Sequence, residues 1–114
     1  MNKTQVKTFT ATIYVGSRVG YGDEILHQSE IENWLQSYCD SEGLGVSITP
    51  TKFIYSDGNE PGFIVGIINY PRFPSEKEEL RTLSLKIAEE LRILMKQLRV
   101  TVVFPDETVM LGAK

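Results

Sequence analysis

The sequence predicts an α+β domain in which two helices cover one face of an antiparallel sheet. Three observations support this fold class. Strand-like and helix-like segments follow one another in the order strand, helix, strand, strand, helix, strand. The strand-like segments are rich in β-branched and aromatic residues, and both helix-like segments begin with a Ser-x-x-Glu sequence. The chain of 114 residues has the length of one domain, which we expect to span residues 1–114.

The overall composition is that of an ordinary globular domain, with 41% hydrophobic and 24% charged residues. The net charge of -3 disfavours binding to a phosphate backbone. The single cysteine, Cys39, forms no internal disulfide, and no Cys/His cluster is present from which a metal site could be built. The N-terminus lacks the apolar run of a signal peptide. We therefore expect a cytoplasmic protein with no membrane attachment, no metal and no cofactor.

The first predicted strand runs over residues 6–15, where apolar and hydroxyl side chains alternate. This alternation places four apolar side chains on one buried face and Tyr14 on the opposite face. A glycine-rich loop, "GSRVGYGDEILHQ", follows the strand. The buried face consists of Phe9, Ala11, Ile13 and Val15.

The two predicted helices have the same start signal. Ser29 with Glu32, and Ser75 with Glu78, have the spacing of capping boxes. The first helix is predicted over residues 30–42 and ends at Gly43, a residue type that favours the left-handed backbone of a helix end. The second helix is the longest predicted element and carries a stripe of leucine and isoleucine at helical spacing.

Two more strands, "VSITPTKFIY" and "FIVGIINY", are predicted on either side of a turn at "SDGNEPG". Pro50 indicates that the earlier of the two lies at a sheet edge, because proline donates no backbone hydrogen bond. The segment "RVTVVF" predicts a fourth strand, and "TVML" a short additional one. This order is the split βαβ pattern of the ferredoxin-like fold, in which the first and third strands lie in the middle of the sheet.

The third strand is apolar on both of its faces, although one helix layer covers only one face of the sheet. We expect Ile64, Gly66 and Ile68 to face the helices, with Gly66 allowing close approach. The opposite face then presents an apolar patch, which is typical of a protein interface. The predicted interface residues are Tyr14, Phe63, Val65 and Ile67.

This plan resembles the small oligomeric proteins of the PII and CutA type, in which ferredoxin-like subunits associate through their sheets. The resemblance covers the architecture of the whole chain and matches no family motif. It implies a homotrimer or a homodimer that binds ligands in clefts between subunits.

RNA-recognition domains have the same element order and stack bases on aromatic side chains of their central strands. The sequence "IYVGS" resembles the first-strand motif of that family. In the third strand, "PGFIVGII", only Gly62 and Phe63 match the expected basic residue, glycine and alternating aromatics. We therefore do not expect nucleic-acid binding, and an RNA-binding domain is kept as an alternative.

Most polar residues that suit a ligand site lie in the two loops "GSRVGYGDEILH" and "SDGNEPG", which the topology places at the same pole. Arg18 can make a bidentate contact with a phosphate or carboxylate, and Tyr21 can stack on a ring. Backbone amides freed by the loop glycines can form an anion-binding concavity. The alternative is that the glycines only permit turns and that Arg18 is a surface charge. The same loops contribute Asp23, His27 and Asn59 as further candidate ligand-binding residues.

Arg72 is a candidate at the opposite pole, in the sequence "NYPRFP". The flanking prolines hold it in an extended conformation, since proline fixes its own φ and keeps the preceding residue out of the helical region. The segment suits either a ligand clamp or a stiff connector that directs the second helix.

These observations lead to the hypothesis of a non-catalytic oligomer that binds a small anionic ligand, such as a nucleotide or a nucleotide-derived signal, at subunit boundaries. A protein-protein interaction module that docks through its open sheet face is the alternative from another class. An enzyme ranks lower because no convergent acid, base and nucleophile appear. Asp57 and Glu60 are interpreted here as turn-forming and solubilising residues.

Overall fold

An antiparallel sheet of five strands carries two helices on one of its faces. The structure is a computed structural model that describes residues 1–113. Within that part of the chain, no helix is long and apolar enough to cross a membrane. The elements are β1 (Thr10–Gly16), α1 (Gln28–Glu42), β2 (Ser47–Tyr55), β3 (Gly58–Ile68), α2 (Lys77–Leu94), β4 (Arg99–Val103) and β5 (Thr108–Gly112).

The strands lie in the order β2-β3-β1-β4-β5, and each neighbouring pair is antiparallel. The first four strands and the two helices form the ferredoxin-like βαββαβ arrangement, so the predicted fold class is confirmed. Pro50 lies in β2, which is an edge strand, as predicted. The "TVML" segment forms β5, which pairs with β4 and extends the sheet by one strand.

The core lies between the sheet and the helices. Successive side chains of a strand point to opposite faces, so alternate residues of β1 face the helices, and Ile13 and Val15 are fully buried. Ile31 of α1 and Ile87 and Leu91 of α2 are also fully buried, on the apolar faces of the two helices. Each such side chain contributes about 1.5–3 kcal/mol when it is buried. Packing between the helices and this one sheet face is therefore the main source of stability.

The predicted orientation of the third strand is wrong. Phe63, Val65 and Ile67 are 6%, 0% and 2% exposed and belong to the core, whereas Ile64 and Ile68 lie on the open face. The reason is the register of β1 with β3, which places Val65 directly opposite the buried Ile13. Residues directly opposite in an antiparallel pair share a face, so Val65 lies on the core side with Ile13. Three of the four predicted interface residues are thus core residues.

Gly66 and Tyr14 both belong to the open face of the sheet. Gly66 does not allow a helix to approach. A Cβ there would lie 2.6 Å from the Ser47 hydroxyl oxygen, across the pair with β2, so Gly66 makes room for a cross-strand neighbour. Tyr14 does lie on the open face, where its side chain is partly exposed, as predicted.

Both helices begin at residues other than the predicted caps. His27 has extended backbone and caps α1, because its Nδ1 accepts a hydrogen bond of 3.1 Å from the Ser29 amide. Ser29 is therefore inside the helix. The residue before α2 is Glu76, one position after the predicted Ser75, and it makes no side-chain capping hydrogen bond. The predicted end of α1 is confirmed, since Gly43 has a left-handed φ of 67°.

The β2–β3 hairpin extends beyond the rest of the sheet. Only Ser56 and Asp57 form its turn, and Asn59 and Glu60 belong to β3, where a longer loop was predicted. The pairing of β1 with β3 begins at Gly62. Residues 52–61 therefore form a two-stranded segment, called here the hairpin arm, that has no strand beside it on the β1 side. The arm carries Glu60 past the end of the domain core.

Arg81 of α2 connects the helix to the segment between β4 and β5. Its guanidinium donates to Asp106 Oδ1 at 2.6 Å and to Glu107 Oε1 at 3.0 Å. It also lies 4.4 Å from the centre of the Phe104 ring. The hydrogen bond from Arg81 holds the pKa of the Asp106 carboxyl below its ordinary value.

We expect Asp106→Asn to lower the melting temperature by a few degrees at neutral pH, because the neutral amide loses the ionic hydrogen bond. The pKa of Asp106 is lower in the folded than in the unfolded state. The stabilisation is therefore complete above the ordinary Asp pKa of about 4 and is lost as the pH falls through the lowered folded value. Circular dichroism melting curves between neutral and strongly acidic pH measure this, with the exposed Glu90→Gln as control. A difference from the wild type that stays constant with pH would contradict it.

Candidate functional site

A cavity of about 480 Å³ lies on the open face of the sheet, at the end where β1 finishes. Its walls come from four parts of the chain: the end of β1, the loop after it, the hairpin arm and the start of β4 with the connection before it. Tyr14 and Gly16 of β1 form the floor, and Phe53 and Glu60 of the arm form one side. Gln97, between α2 and β4, lies on the other side.

Aromatic side chains form the apolar part of the cavity. The rings of Tyr14 and Phe53 meet edge to face, with centres 6.3 Å apart and planes at 64°. Phe53 lies across Gly62, where a Cβ would overlap its ring and would come within 2.6 Å of the Val15 carbonyl oxygen. Tyr21, in the loop after β1, is 92% exposed and forms the rim. The glycine in β3 therefore leaves room for the Phe53 ring against the sheet.

Two acceptor oxygens lie in the cavity above Gly16, and Arg99 and Thr101 of β4 add a guanidinium and a hydroxyl to its lining. A Cβ at that position would lie 2.7 Å from Gln97 Oε1 and 2.9 Å from Glu60 Oε1. The orientation of the Gln97 amide is fixed, because its Nε2 donates to the Arg18 and Met95 carbonyls at 2.8 Å each. Its oxygen is consequently the atom beside Gly16. Two acceptors at one point suit a ligand that is a hydrogen-bond donor or a cation.

The loop after β1 is anchored to the hairpin arm. Ser17 donates from both its amide and its hydroxyl to the Pro61 carbonyl, each at 3.1 Å. Arg18 donates from Nη2 to the Asn59 carbonyl at 3.2 Å, and its Nη1 lies 4.0 Å from Glu60 Oε2. The expectation that these two polar loops meet at one pole is confirmed by these contacts.

The structure brings together only some of the predicted ligand-binding residues. Tyr21 lines the cavity, and Arg18 and Asn59 contact each other behind it. Asp23 is exposed in the loop and does not line the cavity. His27 acts as the cap of α1. The ligand-binding roles of these residues stay predictions.

Arg72 lies at the opposite end of the sheet, where it is exposed in the turn after β3. The Phe73 amide donates to the Tyr70 carbonyl at 3.1 Å, and the two rings lie 5.2 Å apart. Both rings pack near Gly45, at 3.5–3.7 Å from the position of a Cβ there. This packing favours the connector interpretation of the segment.

Cys39 takes no part in the cavity. It is partly buried on α1, and burial raises the pKa of its thiol.

The sequence interpretation missed Phe53, Glu60 and Gln97 of the cavity. It also missed the lining residues of the β4 region, which are Leu98, Arg99, Val100, Thr101 and Val103. Glu60 shares the face of Tyr14 because two-residue periodicity along β3 continues back through Gly62 into the arm. That periodicity is the signal that would have found it, had "NEPG" been interpreted as strand instead of turn. No local signal in the sequence indicates Gln97.

Comparison with known protein families and with curated proteins finds no match. Two solved structures are similar to this chain. A phage SAM lyase in complex with S-methyl-5'-thioadenosine is 20% identical, with a TM-score of 0.75 over 99% of this chain and 95% of that one. A phage SAM lyase in the apo state is also 20% identical, with a TM-score of 0.73 over 93% of this chain and 90% of that one.

The hypothesis of a non-catalytic binding protein is contradicted by this comparison, because both similar structures are lyases and therefore enzymes. One of them holds a nucleoside thioether, which is a neutral molecule and not an anion. Over nearly its whole length, this chain has the fold of the phage SAM lyases.

Proposed function

We propose that this protein is a lyase that cleaves S-adenosylmethionine (SAM) and releases S-methyl-5'-thioadenosine. The observation that carries the proposal is the pairing of two acceptor oxygens, from Glu60 and Gln97, with the Tyr14 and Phe53 rings in one open-face cavity. The shared fold with SAM lyases supports it. SAM carries a positive sulfonium and a positive ammonium group, which match aromatic faces and acceptor oxygens respectively.

The aromatic rings suit the sulfonium. A cation held over an aromatic face is attracted by the negative charge of the ring, with a free energy of about 0.5–2 kcal/mol. Tyr14 and Phe53 supply such surfaces on the cavity wall, and Tyr21 supplies a third at the rim. The rings also exclude water from the reacting carbon. Cleavage neutralises the sulfonium, so charge disappears in the transition state and an apolar surrounding favours that change.

The reaction that we propose breaks one bond and forms one bond within SAM. A carboxylate oxygen of the amino-acid chain attacks the carbon attached to the sulfonium sulfur, and a carbon–oxygen bond forms as the carbon–sulfur bond breaks. Both electrons of the broken bond stay on sulfur, which gives the neutral thioether, and the four-carbon fragment leaves as a cyclic ester without addition of water or loss of a proton. Among the described residues that line the cavity, Glu60 carries the only carboxylate. Glu60 and Gln97 Oε1 would hold the donor groups of SAM and orient the breaking bond.

We expect the purified protein to convert SAM to S-methyl-5'-thioadenosine faster than a protein-free blank. Glu60→Gln should lower kcat/KM by about 10- to 100-fold, because a hydrogen bond to a charged group contributes about 1.5–3 kcal/mol. Liquid chromatography with mass spectrometry measures both products. Glu90→Gln, on the exposed side of α2, is the matched control and should retain wild-type turnover. Thioether formation equal to the blank would contradict the proposed function.

We expect Gly16→Ala to fold normally but to lose affinity for decarboxylated SAM, which carries the ammonium and sulfonium groups of SAM. The added Cβ meets only the ends of two side chains, Gln97 and Glu60, which can move apart without disturbing the core. Their displacement would separate the two acceptors. Calorimetric titration together with a melting curve tests this.

Gly22→Ala, in the loop after β1, is the matched control, because a Cβ there makes an ordinary contact of 3.6 Å with the Val19 carbonyl. We expect it to bind as the wild type does. Unchanged affinity in Gly16→Ala would show that the convergence of Glu60 and Gln97 plays no part in binding.

We also propose that the protein self-associates through the open face, as a trimer or a dimer. Tyr14 is 37%, Ile68 42% and Met110 49% exposed on that face, so the apolar surface is made of residues other than those first predicted, apart from Tyr14. Light scattering on a sizing column should give a multiple of 12.9 kDa. Ile68→Glu should reduce the mass, whereas Ile93→Glu on the outer side of α2 should not. A wild-type mass of one chain across micromolar concentrations would contradict self-association.

A further inference from the structure

We propose that Arg18 is a positioning residue that holds Glu60 and Gln97 in place from behind the cavity. This inference rests on the proposed function for its catalytic meaning, while its geometry is independent of any substrate. Arg18 contacts both acceptor groups. Its side chain reaches the hairpin arm, and its backbone carbonyl accepts from Gln97 Nε2 at 2.8 Å.

The hairpin arm depends on few contacts for its position. Glu60 lies two residues beyond Gly62, where the pairing of β3 with β1 begins. The contacts that tie this part of the arm to the loop after β1 are those of Ser17 to the Pro61 carbonyl and of Arg18 to Asn59 and Glu60. Ser17 holds the backbone at Pro61. Arg18 is the residue that reaches Glu60 itself.

Gln97 depends on Arg18 in a different way. The chain turns sharply between α2 and β4, with Lys96 at a left-handed φ of 53°. The Gln97 amide nitrogen bridges the carbonyls of Arg18 and Met95, so it connects the loop after β1 to the end of α2. Displacement of the Arg18 backbone would release this bridge and free the Gln97 side chain to rotate.

The guanidinium of Arg18 does not serve as a wall of the cavity. It is directed to the Asn59 carbonyl and the Glu60 carboxylate, and Arg18 is not among the described residues that line the cavity. A direct contact with a ligand phosphate or carboxylate was the role predicted for Arg18 from the sequence. The geometry favours a role through Glu60 and Gln97 instead. The two roles differ in which ligands they affect.

The first experiment needs no ligand. The side-chain amide of Gln97 is followed by ¹H–¹⁵N NMR in the wild type, in Arg18→Met and in the exposed control Lys86→Met. Arg18→Met removes the guanidinium contacts to the hairpin arm and keeps the backbone carbonyl that accepts from Gln97 Nε2. If the guanidinium holds the loop after β1 in place, its loss displaces that carbonyl and should speed hydrogen exchange of the Gln97 amide by about tenfold or more, since protection reflects the local opening equilibrium. The control should leave the signal unchanged. A Gln97 signal in Arg18→Met that matches the wild type would overturn the inference.

The second experiment compares two ligands by calorimetric titration. The ligands are SAM and decarboxylated SAM, which keeps the sulfonium and the ammonium group and lacks only the carboxylate. A positioning role predicts that Arg18→Met weakens both ligands by a similar factor of about ten. Weakening of SAM alone would assign Arg18 to the substrate carboxylate and overturn the inference. Arg18→Lys, which keeps the charge beside Glu60, should bind both ligands more tightly than Arg18→Met, and equal losses in the two variants would overturn the role of the charge.

Different results would contradict the SAM lyase function and the positioning role of Arg18. A wild-type protein that binds neither ligand and releases no thioether would contradict the SAM lyase function. In that case the NMR comparison still decides whether Arg18 holds Gln97. A protein that cleaves SAM, with Gln97 unaffected in Arg18→Met, would keep the function and remove the positioning role.

Discussion

The register between β1 and β3 is the constraint on which the rest of the structure depends. Val65 lies directly opposite Ile13, and this pairing assigns every side chain of both central strands to one face or the other. A shift of one residue would expose the core set and bury the open-face set. The same register puts Gly62 opposite Gly16, so the two glycines meet at the end of the sheet, where the cavity lies. The register of β1 with β3 therefore determines both which side chains form the core and where the cavity lies.

The glycine pair gives the open face its shape. Side chains larger than glycine at Gly16 and Gly62 would occupy the space that Phe53, Glu60 and Gln97 now share. Phe53 and Glu60 are paired across the hairpin arm, and Gln97 comes from a segment that is distant in sequence. The cavity therefore lies over a locally bare part of the sheet, and side chains of the hairpin arm, of β4 and of the connection before β4 surround it.

Much of the fold was predictable from periodicity and from proline and glycine. The alternation in β1 identified its buried face, and Gly43 identified the end of α1. The face of β3 was not predictable in this way, because Phe63, Val65 and Ile67 alternate with residues that are also small or apolar. Local pattern carries no information about the face when both sets are apolar, and cross-strand pairing then decides. The helix caps differed because the His27 ring replaced the Ser29 hydroxyl as the acceptor.

The candidate site was predictable only in part. Chain topology correctly brought the loop with Arg18 and Tyr21 to the hairpin that contains Asn59. Glu60 was assigned to a turn and Gln97 has no local signal, and the meeting of the two depends on tertiary contacts. The sequence contains no convergent acid, base and nucleophile, and this led to the hypothesis of a non-catalytic protein, which the similar structures contradict. If SAM is the substrate, its sulfonium is already a good leaving group, so the protein needs to orient and desolvate it more than to activate it. The architectural resemblance to PII and CutA proteins stays a prediction.

The hairpin arm links the cavity to the local stability of the chain. A two-stranded ribbon held at one end opens at a lower free energy than a strand paired on both sides. Residues 52–61 contribute both Phe53 and Glu60. The fraction of molecules with an assembled cavity is thus set by the local opening equilibrium of the arm, and the apparent affinity for a ligand is reduced by that fraction. A ligand that contacts both the arm and β1 shifts this equilibrium toward the closed form. The free energy of binding therefore includes the free energy of ordering the arm.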